Sequence, residues 1–93
     1  MFEQEIAEGI KLLDAKGGFG WRDRIDKDQI VMYNPYKCIL GQLYGDYWKG
    51  CRELDFPGAG ADYGFALAFS DEYSDSVYTA YKQLKWEWIS ELS

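Results

Sequence analysis

Residues 35–48, Pro35-Tyr36-Lys37-Cys38-Ile39-Leu40-Gly41-Gln42-Leu43-Tyr44-Gly45-Asp46-Tyr47-Trp48, constrain the fold of this chain more than any other stretch. Apolar side chains recur there at helical spacing, yet two glycines stand one turn apart. A glycine in a helix interior costs about 1 kcal/mol relative to alanine. A helix that keeps both needs an offset, and close approach of a neighbour supplies one. The neighbour can be another helix of the same fold, a second protein or a ligand. Packing within the fold is the favoured reading, because a matching apolar stripe lies near the C-terminus.

This helix is expected to start at Asn34-Pro35, where Asn caps and Pro takes the first helical position, and to run to about Gly50. Ile39, Leu43 and Tyr47 line one face; Leu40, Tyr44 and Trp48 line the adjacent one. An apolar sector that wide belongs to a central helix touching neighbours on more than one side. Gln42, between the glycines, needs hydrogen-bond partners if it is buried. Backbone groups near Gly58–Gly64 are the expected source.

Two more helices flank the central one. In residues 3–16, Ile6, Ile10 and Leu13 stand at i, i+4 and i+7, and Gly17-Gly18 ends the helix. The last helix starts near Ser74–Ser76 and reaches about Leu92, with Val77, Tyr81, Leu84, Trp88 and Leu92 on one stripe. It is expected to pack across the central helix through Val77, Tyr81, Leu84 and Trp88. Tyr78, Lys82, Lys85 and Trp86 lie off the stripe, which makes Trp86 the aromatic expected at the surface.

The connecting segments are less regular. Asp26 or Asp28 is placed to cap a short turn of helix over Gln29–Met32, with a short strand over Ile30–Tyr33 as the rival reading. Leu54–Gly64 is rich in glycine and loop-like. Phe65, Leu67 and Phe69 alternate as in a strand, whose partner would have to be Ile30–Tyr33. The fold class is therefore mainly α: one small three-helix domain over residues 1–93, with an aromatic, glycine-rich loop or short β-hairpin on one side. An α+β fold is the alternative. The expected core is Trp21, Ile25, Cys38, Gly41, Leu43, Gly45, Tyr47, Tyr81, Leu84 and Trp88.

A chain of this length buries only about 60–65% of its unfolded surface, so its core must be dense. Its 47% hydrophobic and 18% aromatic content meets that need. Aromatics also concentrate at interfaces, so the excess does not by itself separate fold from function. The net charge of −6 is unevenly placed: residues 53–93 hold eight acids against two bases, and no Lys or Arg occurs from Glu53 to Tyr81. Nucleic-acid binding through direct phosphate contacts needs clustered bases and is not expected. A solvated acidic face is the simplest explanation; a basic protein partner is the other. The acidic N-terminal residues do not form a signal sequence, and no apolar run approaches the ~20 residues that span a bilayer. A cytoplasmic protein with no membrane partner is expected, with Cys38 and Cys51 reduced.

Catalytic chemistry is poorly provided for. With no histidine, Ser-His-Asp and Cys-His catalysis are absent, as is the commonest zinc ligand. Gly58-Ala59-Gly60 lacks the P-loop pattern. Asp26-Lys27-Asp28 lacks the turn glycine and bidentate glutamate of a calcium loop. Glu53, Asp55 and Asp62 have no spacing that demands acid–base work. No catalytic residue, metal or cofactor is assigned, and the protein is read as not an enzyme. The partner-binding surface is placed on the acidic aromatic loop, at Phe56, Asp62, Tyr63, Asp71, Glu72 and Tyr73, and at Trp86.

Gly20-Trp21, Arg24-Ile25-Asp26 and Cys38-Ile39-Leu40-Gly41-Gln42-Leu43-Tyr44-Gly45, with Tyr47 and Gly50, form a pattern across residues 20–50. It resembles a group of small accessory proteins encoded by tailed bacteriophages, those of actinobacterial phages above all. The resemblance brings no catalytic or binding residue. It implies a non-virion protein acting in the host bacterial cytoplasm. Three functions fit that setting. The favoured one is a non-enzymatic protein that binds and inhibits a host protein such as a defence or regulatory factor. The second sequesters a small signalling nucleotide, with aromatics stacking the base and Arg22, Arg24 and Arg52 offsetting the acidic loop. The third is a homo-oligomer that uses the spare aromatics.

Overall fold

The computed structural model describes residues 2–67 and 75–93. Four α-helices lie among them: α1 (Glu3–Lys16), α2 (Ile39–Tyr44), α3 (Tyr47–Leu54) and α4 (Asp75–Leu92). Single 3₁₀ turns stand at Trp21–Arg24, Lys27–Gln29 and Gly60–Tyr63. The fold is a small mainly α domain, as the apolar periodicities predict. No strand occurs among the described residues, so neither the hairpin nor the α+β alternative is seen there. Over Ile30–Tyr33 the backbone turns instead: Val31 N–H donates to the Lys37 carbonyl, and Asn34 N–H donates back to Val31. At the other proposed strand, Phe65 N–H closes on the Gly60 carbonyl; residues 68 and 69 lie outside the described residues.

The long central helix is the main correction. It is two short helices, and it starts four residues later than Pro35. Asn34 and Pro35 form a turn in which Asn34 Oδ1 accepts from Tyr36 N–H and its carbonyl accepts from Lys37 and Cys38. Cys38 is the cap: its Sγ accepts from Gly41 N–H at 3.4 Å. The break falls at Gly45, whose φ of +101° is a conformation that side-chain-bearing residues rarely adopt. Asp46 then caps α3, its Oδ1 accepting from Lys49 N–H at 2.7 Å. Gly50 does not stop a helix; it lies inside α3.

The glycines consequently divide the work differently from expectation. Gly45 is exposed, with open space where a Cβ would stand, and is not a core residue. Gly41 is buried, and a Cβ there would overlap the backbone of Pro35 and Tyr36. The close helix–helix approach belongs to Gly50, where a Cβ would lie 2.8 Å from Leu40 Cβ and 3.1 Å from the Tyr44 ring. Gly9 on α1 does the same for the loop: a Cβ would collide with the Tyr63 carbonyl, so α1 lies directly on the Gly60–Tyr63 turn.

α4 packs mainly against α1 rather than across the central helix, which it meets at its margin, where Tyr81 stands near Tyr47 of α3. Trp88 is fully buried, donates from Nε1 to the Gly64 carbonyl at 2.7 Å and stacks on Phe65 at 6.0 Å. Phe2 N–H donates to Glu87 Oε1 at 2.7 Å, tying the start of α1 to the far part of α4. The core gathers Ile6, Leu13, Ile30, Met32, Ile39, Leu40, Leu54 and Phe65 with the expected Trp21, Ile25, Cys38, Leu84 and Trp88. Leu43, Tyr47 and Tyr81 pack on its margin, half-buried.

Candidate docking surface on the last helix

The residues of the pattern across residues 20–50 are engaged within the fold. Trp21 Nε1 donates to Asp14 Oδ1 at 2.9 Å, and Arg24 Nη2 donates to the Gly17 carbonyl at 2.6 Å. Gln42 Oε1 accepts from Asp26 N–H at 2.7 Å, while Nε2 donates to the carbonyls of Asp26 and Lys37 at 3.2 and 3.1 Å. Its partners are thus the connector and the turn before α2, not the Gly58–Gly64 loop. A single amide replaces three solvent contacts of irregular backbone and fixes the Arg24-Ile25-Asp26 stretch to α2. Burial pushes the thiol pKa of Cys38 up and, on the same corner, raises that of the Tyr47 hydroxyl, with Cys51 adding to the Tyr47 shift. A thiol held protonated is a poor nucleophile. The pattern therefore builds scaffold.

Among the described residues, those predicted to bind a partner do not form one patch. Phe56 and Tyr63 pack together at 4.7 Å and stand 5.9 and 6.1 Å from Phe65, which continues to Trp88. This aromatic run leads into the core. Asp62 closes its own turn, with Oδ2 accepting from Ala59 N–H at 3.1 Å. Tyr63 donates to the Pro57 carbonyl. Asp71, Glu72 and Tyr73 lie outside the described residues. Trp86 is 61% exposed, as expected. It stands two residues from inward-facing Trp88, and two residues turn a helix by about 200°, so it projects away from the Phe56–Tyr63 loop.

A different surface brings aromatics together in the open. The Ile30–Tyr33 turn and α4 enclose a cleft of about 90 Å³ lined by Met32, Tyr33, Tyr78, Tyr81, Lys82 and Lys85 among others. Tyr78, Tyr81, Lys82 and Lys85 follow i, i+3, i+4, i+7 spacing and so share one side of α4. The Tyr33 ring meets Tyr78 at 5.8 Å and Tyr81 at 5.9 Å. Tyr33 and Tyr78 remain 55% and 48% exposed. Lys82 Nζ stands 5.0 Å from the centre of the Tyr78 ring, and Lys85 Nζ stands 5.8 Å from that of Trp86. Trp86 therefore adjoins the cleft through Lys85. The sequence marks the helical half of this surface, since Tyr78, Lys82, Lys85 and Trp86 all fall off the buried stripe. It does not mark Tyr33, which the connector brings in from far upstream.

Among the described residues no helix is long and apolar enough to cross a membrane, and no three His, Cys, Asp or Glu side chains are placed to hold a metal ion. In comparisons with known proteins the chain matches no family model, no curated protein and no solved structure.

Proposed function

We propose that this chain is a small non-enzymatic binding protein whose contact surface is the tyrosine–lysine cleft on α4. In the setting that the phage resemblance implies, it acts in the cytoplasm of the host bacterium and inhibits a host protein such as a defence or regulatory factor. The observation that carries this reading is the exposed cluster of Tyr33, Tyr78 and Trp86 beside Lys82 and Lys85. Exposed aromatics grouped on a firm support mark contact surfaces, where they contribute large apolar area at low entropic cost. The support is firm here: buried Ile30 and Met32 line the cleft beside the tyrosine rings.

The nucleotide alternative has less in its favour. The cleft is well short of the roughly 300–1,000 Å³ that encloses a drug-sized ligand. Arg22 lies over the Trp21 ring at 4.9 Å and Arg24 is bonded to Gly17, so two of the three arginines already have partners within the fold.

Affinity capture from a bacterial lysate, run side by side with the native chain and a Tyr33→Ser/Tyr78→Ser variant, tests the reading. A partner held by the native chain and by a Phe19→Ser control, but lost from the double variant, is expected. A partner held equally by all three overturns the assignment of the cleft.

A further inference from the structure

The cleft carries a charge signature opposite to that of the chain around it. Residues 53–93 contain eight acids and two bases, and both bases, Lys82 and Lys85, line this cleft. Their ammonium groups lie over the Tyr78 and Trp86 rings, and among the described residues no carboxylate pairs with either. A cation over an aromatic face keeps its outer side free for a second contact. The space between them is of side-chain size rather than ligand size. Resting on the cleft being the contact surface, we infer that its occupant is an acidic peptide segment of the partner protein: one apolar side chain enters the cleft beside the paired Tyr33 and Tyr78 rings, and flanking Asp or Glu carboxylates meet Lys82 and Lys85.

Charge complementarity selects this occupant over the others. A basic segment would meet two ammonium groups at the point of contact. A single-stranded nucleic acid could stack on the tyrosines, but it brings a phosphate per nucleotide along its length and finds only the two cations that line the cleft.

The test is a titration of isotope-labelled protein, followed by amide chemical shifts, with a short capped peptide that has leucine at its centre and glutamates on both sides. The same peptide with lysines in place of the glutamates, and an oligothymidine, are run in parallel. Saturable shifts at Tyr33, Tyr78, Lys82 and Lys85 with the acidic peptide are expected, weakened by added salt. A Lys82→Gln/Lys85→Gln variant should bind about fivefold more weakly, the scale of two solvent-exposed charge contacts. Lys82→Gln alone, at an exposed position, gives part of that loss without touching the core.

The outcomes separate. Equal or tighter binding of the lysine peptide overturns the charge assignment while leaving the cleft as the contact surface. Tighter binding of oligothymidine replaces peptide with nucleic acid. Movement of the same amides on concentrating the protein alone replaces it with a second copy. No movement at these residues with any probe overturns this inference and the proposed function together.

Discussion

The corner from Cys38 to Gly50 and the outer side of α4 from Tyr78 to Trp86 both combine aromatics with polar groups, but they direct them oppositely. At the corner, Cys38, Ile39, Leu40 and Gly41 are buried, and the Gln42 amide is bonded to backbone through both of its heteroatoms. On α4, Tyr78 and Trp86 stay half in solvent, and two lysines lie over their rings. The corner fixes an irregular connector; the outer side of α4 is the contact surface proposed above. The two differ because the irregular connector needs specific side chains to hold it, whereas a helix holds its own backbone and leaves its outer residues free.

Substitutions on either side of that divide should differ sharply. The largest effect is expected from Trp88→Ala, which empties the centre and leaves the Gly64 carbonyl without its donor: about 3–5 kcal/mol lost in urea unfolding followed by fluorescence. Trp86 is two residues away on the same helix, so the pair tests inner against outer side directly. Gly41→Ala comes next, at about 3 kcal/mol, the upper end of overpacking, because the obstacle is the backbone of Pro35 and Tyr36 rather than a movable side chain. Gln42→Ala should cost about 1–2 kcal/mol and speed amide exchange at Asp26, whose N–H loses its acceptor.

The corner also predicts a pH response. Burial raises Cys38 above its ordinary 9.0 and Tyr47 above its ordinary 10.0. Above about pH 9 the unfolded chain therefore releases protons that the folded chain still holds, so stability is full below that range and falls as pH climbs. Tyr47→Phe should flatten the upper part of the decline. The smallest effects belong to the outer side: Tyr78→Ser and Trp86→Gln should each shift unfolding by no more than about 0.5 kcal/mol. A loss of several kcal/mol from either would show that these rings belong to the core and would undo the contrast.

Much of this fold was legible in the sequence where periodicity and termination agreed. The Ile6, Ile10, Leu13 spacing with Gly17-Gly18 after it gives α1, and the Tyr81, Leu84, Trp88 stripe gives the inner side of α4. The break at Gly45 was hidden because apolar residues continue across it at 39, 43 and 47 without losing phase. The local signal was there in Gly45-Asp46, a residue suited to positive φ followed by a capping carboxylate. Gly9 gave no warning at all, since its neighbour, the Tyr63 carbonyl, is remote in the chain. The same remoteness explains the site. Side chains off the α4 stripe could be named from spacing, but the Phe56–Tyr63 loop looked like surface because it is acidic, and only its contact with Phe65 shows that its rings turn inward.

The bond from Phe2 to Glu87 and the seat of Trp88 against Gly64 have a consequence for how the chain is made. α1 packs against α3, the Gly60–Tyr63 turn and α4, so its surroundings are complete only once residues 75–92 have been synthesised. Until then α1 has the turn and α3 beside it but no α4, and the Gly64 carbonyl has no tryptophan to bond. The Phe2–Glu87 and Trp88–Gly64 bonds are therefore among the last contacts of this fold to form as the chain emerges.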